Sequence, residues 1–201
     1  FYVRLLVLWT LLIAFGYIFL KKDIFKLMRI VREPTMLAFA TASSESAYPK
    51  TMEALDKFGV PKRITSFVLP LGYSFNLDGS MMYMAFAVLF IAQAYNIDLS
   101  FSQQALILFT LMITSKGIAG VSRASIVVIA STLAMFKLPE AGILLILAID
   151  QFLDMGRTAT NVIGNSIATA VIARTEGNKD ELTEQKGIMV NNIPPANQLA
   201  D

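Results

Sequence analysis

Asp154, Arg157, Thr158, Asn161 and Asn165 stand at i, i+3, i+4, i+7 and i+11 of the stretch "DMGRTATNVIGN". On an α-helix that spacing puts all of them on one face. The surrounding positions are mostly Ile, Leu, Phe, Val and Ala. A polar stripe on an apolar helix should face a cavity or the protein interior. One reading is a structural ion pair between Asp154 and Arg157. The other is a site for a zwitterion, in which Arg157 holds a carboxylate through its planar fork and Asp154 holds an ammonium. So many polar residues exceed what one pair needs, and that favours the second reading.

The stretch "GYSFNLDGSMMY" puts Asn76-Leu77-Asp78-Gly79 between two apolar flanks. An aspartate near a bilayer centre costs roughly 2.5–3.5 kcal/mol on insertion scales. Gly79 weakens the helix at the same spot. Asp78 either bonds locally at a kink or coordinates a cation. In the second case an unwound turn exposes backbone carbonyls, and Asn76 and Asp78 add hard oxygens that suit an ion such as Na⁺.

Two small-residue tips complete the candidates. In "SSESAYPKTME", Ser43, Ser44 and Ser46 offer hydroxyls. In "SKGIAGVSRAS", Gly117 and Gly120 would let the backbone bend as a gate. Opposed half-helices at such tips can aim N-terminal dipoles and free amides at an anion. Either tip alone would pass for an ordinary loop; their matching positions in the chain give them weight. Glu45 and Arg123 are unusual charges for tips and are either solvated or functional.

These residues need a particular scaffold. The chain has 201 residues, 55% of them hydrophobic, with a mean hydropathy of +0.59. Soluble domains hold about 45–50% by a comparable count, and here the excess lies in long runs. The expected fold class is an all-α polytopic membrane protein. A net charge of +2 gives no reason to expect nucleic acid, and the absence of Cys excludes disulfides and thiolate metal sites. There is no His, so a proton carrier must be a carboxylate such as Glu45, Asp150 or Asp78. No cofactor is implied beyond a coupling cation. The first residue is not Met and no cleavage site follows, which reads as a start inside a longer protein.

The expected elements are a transmembrane helix over 1–22 and a re-entrant helical hairpin over 23–61. An interrupted transmembrane helix follows over 62–95, then a second hairpin over 102–136. Residues 138–174 form another transmembrane helix, interrupted by "DMGRTATN", and 175–201 a polar cytoplasmic tail. Lys21, Lys22, Lys26, Arg29 and Arg32 precede the first hairpin; Lys50, Lys57, Lys62 and Arg63 follow its tip; Arg174, Lys179 and Lys186 follow the last span. The connector 95–103 has no Lys or Arg. By the positive-inside rule the first hairpin enters from the cytoplasm and the second from outside. The chain thus reads as two inverted repeats, each a hairpin followed by a broken span. That is the architecture of secondary transporters, with the site at mid-membrane.

"SSESAYPKTME", "PLGYSFNLDGS", "SKGIAGVSRAS" and "LDMGRTATNVIGN", in this order, resemble the glutamate transporter family, the dicarboxylate/amino acid:cation symporters. The resemblance covers roughly residues 1–176. It implies an elevator mechanism, in which a mobile transport domain slides against a trimeric scaffold. This chain resembles the C-terminal part of that domain, without the N-terminal scaffold helices. The implied substrate contacts are Ser44, Ser80, Val121, Asp154, Arg157, Thr158 and Asn161, with Arg123 as a further candidate. It would stand in for a family Arg whose usual positions are Ala42 and Met155 here. The implied cation ligands are Gly72, Ser74, Asn76, Asp78, Ser115, Ile118, Asn161 and Asn165. Many sodium-coupled members have Asp at position 165, so the amide here leans toward proton coupling.

The expected function is symport of glutamate or aspartate with H⁺ or Na⁺, by a homotrimer in the inner membrane with a cytoplasmic C-terminus. Its partners are a small acidic substrate and the lipid bilayer. C4-dicarboxylate and cystine carriers of the same family are the rivals. A gated ion channel, from a different class, would need a continuous pore. An enzyme is disfavoured, because no activated nucleophile constellation occurs.

Overall fold

The computed structural model describes residues 1–116 and 123–191, with side chains as far as Gly177. Among the described residues every regular element is helical. Helix α1, Tyr2–Leu20, is apolar along its length. At 1.5 Å per residue it is about 28 Å long, close to a bilayer's hydrocarbon thickness. Helix α2, Asp23–Ile30, carries Asp23 in its first turn and Arg29 in its last, each complementing the helix dipole.

Helices α3, Arg32–Thr41, and α4, Ser44–Phe58, form a hairpin with a very short turn. Ala42 makes the turn with a left-handed φ of 49°. Ser43 then caps α4 by accepting the Ser46 N–H at 3.4 Å. Gly59, at φ 104°, closes α4, and the Val60 N–H returns to the Leu55 carbonyl at 3.0 Å. The turn therefore lies at the front of the expected Ser-rich tip.

Helices α5, Lys62–Phe75, and α6, Asp78–Ala94, share one long apolar stretch. It breaks at Asn76 and Leu77, whose ψ values of 74° and 58° leave the helical region. Together with α1, this stretch is long and apolar enough to cross a membrane. Helix α7, Phe101–Thr114, opens on a capping box made by Ser100 and Gln103. Helix α8, Ala124–Met135, follows the residues that are not described.

A short 3-10 turn, Glu140–Gly142, leads into α9, Ile143–Leu147, and then α10, Asp150–Asn191. Here the structure differs from the sequence expectation. "DMGRTATN" does not interrupt the helix; the break lies before it, at Ala148 and Ile149. The reason is that the hydroxyls bond back along the helix. Thr158, Thr160, Ser166 and Thr169 each donate to the carbonyl four residues earlier, at 2.7–2.8 Å. Polar side chains are satisfied without opening the backbone. The helical backbone also runs past residue 174 into the polar segment, as far as Asn191.

Helix α10 is the centre of the fold and packs on α1, α3, α4, α5 and α6. It separates two apolar clusters. One joins α6, α7, α8 and α9 around Tyr83, Met84, Ile107, Leu111, Ile129 and Leu133. The other joins α1, α2, α4 and α5 around Ile24, Leu27, Leu55 and Leu69. Val3, Leu6, Val7, Leu11 and Ile18 of α1 stay exposed, which suits an apolar surrounding rather than water. The polar stripe of α10 is consequently held between helices and away from that face.

Candidate functional site

The site forms where the α5–α6 break meets the middle of α10. Gly79 makes this contact possible: a Cβ there would run into the Arg157 carbonyl and lie 2.8 Å from Thr160 Cβ. Gly79 and Ser80 are among the residues at the start of α6 whose N–H groups lack helical partners. Asn161 of α10 satisfies both, its Oδ1 accepting from Gly79 at 2.9 Å and Ser80 at 3.2 Å. Its Nδ2 donates to Ser80 Oγ at 2.9 Å. One amide thus caps a second helix.

Arg157 joins the same network. Its Nη1 donates to Ser80 Oγ at 3.1 Å, and its Nε donates to Asp154 Oδ1. Asp154, Arg157, Thr158 and Asn161 are at most 1% exposed. The other Asp154 oxygen, Oδ2, accepts the Arg123 backbone N–H at 2.8 Å, at the start of α8. Arg123 reaches that position with a left-handed φ of 65°. Its side chain turns toward Asp150, with Nε 3.5 Å from Oδ2, an ion-pair distance without a hydrogen bond. The other Asp150 oxygen accepts the Tyr83 hydroxyl. So Arg123 ties α8 to two acids one turn apart on α10, and its guanidinium lies at Asp150 and not at Asp154.

The oxygen-rich group lies one to two turns further along α10. A Cβ at Gly72 would meet Asn165 Oδ1, and one at Gly164 would meet Asp78 Oδ2. These glycines admit the Asn165 and Asp78 side chains to the break. The Asn76 amide sits between them, 3.1 Å from Asn165 Oδ1. Turned about, its nitrogen donates to both Asp78 oxygens, at 3.1 and 3.2 Å. We assign that orientation, because an ionised carboxylate accepts and does not donate. The Asn165 nitrogen otherwise lacks a partner, and turning that amide too lets it donate to Asn76.

The remaining candidates are scattered. Ser44 is buried in the first hairpin, and its hydroxyl lacks a hydrogen-bond partner. Ser115 is buried and donates to the Met112 carbonyl at 3.3 Å. Ser74 is exposed and donates to the Pro70 carbonyl at 3.4 Å. Glu45 is also exposed. Ile118 and Val121, with Gly117 and Gly120, lie outside the described residues.

Three contacts escaped the sequence analysis. Tyr83 holds Asp150, Trp9 Nε1 donates to Thr160 Oγ1 at 2.8 Å, and Lys116 Nζ donates to the Phe75 carbonyl at 2.8 Å. Tyr83 lies four residues after Gly79, on the α6 face that meets α10, which is the only signal the sequence held for it.

A buried acid and a buried base on one helix, with a hydroxyl and an amide beside them, can hold both ends of a zwitterion. The model of the sodium:dicarboxylate symporter family matches residues 1–175. The chain belongs to that family. It is 52% identical over 165 residues to a proton/sodium-glutamate symport protein of Bacillus caldotenax, covering 82% of this chain and 38% of that one. It is 51% identical over 150 residues to a proton/glutamate-aspartate symporter of Escherichia coli, covering 75% and 34%. A C4-dicarboxylate transport protein of Mesorhizobium japonicum is 46% identical over 160 residues, covering 79% and 34%. The chain thus spans little more than a third of the length of these relatives. The family and these relatives are symport and transport proteins, not enzymes.

Proposed function

We propose that the full-length protein is a secondary active symporter of acidic amino acids, glutamate or aspartate. The observation that carries this is the buried Asp154–Arg157 pair, joined through Ser80 and Asn161 to the start of α6. The substrate ammonium meets Asp154. Its side-chain carboxylate takes the Arg157 fork, and its α-carboxylate lies toward Asn161 and the hairpin tips, where Ser44 has a free hydroxyl. Thr158 and Ser80 flank that position. Arg123 closes the site from the second hairpin.

The two hairpins act as re-entrant elements of inverted repeats, and the unit moves as an elevator against scaffold helices of a homotrimer in the inner membrane. Support comes from the repeated order of hairpin and broken helix, and from relatives with symporter names. The coupling cation is H⁺ or Na⁺. Asp78, Asn76, Asn165 and the carbonyls of the α5–α6 break form its oxygen-rich group, with Gly72, Ser74, Ser115, Ile118 and Asn161 contributing. The C-terminus lies in the cytoplasm, on the side of the Lys and Arg clusters.

A C4-dicarboxylate substrate is the second reading, favoured by the name of the Mesorhizobium relative. A competition assay separates the two. In proteoliposomes of the full-length protein, labelled glutamate uptake should be suppressed by unlabelled aspartate at concentrations where succinate and malate have little effect. Stronger competition by succinate would overturn the amino-acid reading. Strong competition by cystine would move the substrate to the larger amino acid.

A further inference from the structure

Helix α5 ends at Phe75, and a helix C-terminus carries about half a negative charge on its free carbonyls. Three residues on, Asp78 adds a full negative charge, with its carboxylate seated against Gly164 of α10. In a membrane protein this much negative charge at a broken helix needs a cation or a donor. The chain brings one itself. Lys116 follows α7, is 41 residues from Phe75 in sequence, and donates its Nζ to the Phe75 carbonyl at 2.8 Å.

An ammonium is a compact monovalent charge that seeks oxygen, as a sodium ion does. Two such charges at one helix end repel each other. We propose that Lys116 is a tethered counter-cation for the α5–α6 break, holding the place where a sodium ion would otherwise be drawn, so that it sets which cation the transporter uses. This rests on the symporter reading above. Lys116 is exposed, so an ion from solution can reach the carbonyl once the ammonium is removed. The lysine also links the end of α7 to the break.

The test compares wild type, Lys116→Met and Lys116→Arg in the full-length protein. Met keeps the aliphatic stem and drops the charge; Arg keeps the charge. Glutamate uptake into proteoliposomes is measured under an inward proton gradient, with and without inward sodium. The ratio of the two should rise about two- to fivefold in Lys116→Met, the order expected for one charge at an exposed helix terminus. Lys116→Arg should keep the wild-type ratio. An unchanged ratio in Lys116→Met would overturn the proposal.

Thermal unfolding of the purified proteins in sodium against choline chloride gives an independent readout. Sodium should raise the Tm of Lys116→Met more than that of wild type, even if that variant no longer transports. Equal sodium shifts would overturn the proposal. If wild type fails to take up any acidic amino acid, the symporter reading fails, while the difference in Tm shifts still decides the role of Lys116.

Discussion

Arg157 donates its Nε to the Oδ1 of Asp154, three residues earlier on the same helix, and both side chains are buried. A pair so placed costs desolvation that its mutual attraction only partly offsets. The cost makes sense if both charges serve a ligand that carries the opposite pair. Binding then exchanges one set of partners for another, and no charge is left bare.

Replacing Arg157 by Cys removes the cation from this exchange. Acidic substrates should lose uptake in the full-length protein, and neutral amino acids should gain entry, because Asp154 still holds an ammonium. Breaking such a buried pair costs on the order of 3–5 kcal/mol. Undiminished glutamate uptake by this variant would remove Arg157 from the site.

Asp154→Ser separates substrate classes. An amino acid loses the partner of its ammonium, a fall of several hundredfold and up for about 3–5 kcal/mol. Succinate and malate have no ammonium to lose, so their uptake or competition should fall far less. Equal losses would make Asp154 structural.

The stripe of α10 was legible because helical spacing alone puts Asp154, Arg157, Thr158, Asn161 and Asn165 together. The break at "NLDG" was legible because Asn76, Asp78 and Gly79 each disfavour an apolar helix. What spacing could not give was partnership across the chain. Asn161 caps α6 from 82 residues away, and Tyr83 reaches Asp150 over 67. The helix runs unbroken through "DMGRTATN", against the sequence expectation, because hydroxyls that bond back to their own helix hide their polarity. Glu45, which the sequence leaves as either solvated or functional, is exposed in the first turn of α4.

Gly79→Ala tests the close approach of α6 to α10. The new methyl meets the Arg157 carbonyl, which is backbone and cannot swing aside. Overpacking of this kind costs about 1–3 kcal/mol. A lower Tm in detergent, with weakened substrate-induced stabilisation, is expected. A wild-type Tm and wild-type substrate shift would contradict the close approach of α6 to α10.

Tyr83→Phe deletes the hydroxyl that Asp150 accepts. A lost hydrogen bond to a charged group costs about 1.5–3 kcal/mol. The loss should shrink when Asp150 is already Asn, because the two side chains act as a pair. A double-mutant cycle by thermal or denaturant unfolding reads this out. Strictly additive effects would contradict the contact.

The central claim is accumulation of an intact acidic amino acid by an ion gradient through the Asp154–Arg157 site. The most direct measurement is labelled glutamate uptake by the full-length protein in proteoliposomes, under inward proton and sodium gradients applied separately and together. The account predicts internal glutamate rising above the external concentration and recovered chemically unchanged, with collapse of the gradient releasing it and Arg157→Cys abolishing it. Uptake that only equilibrates, label recovered in another compound, or equal accumulation by Arg157→Cys would contradict it.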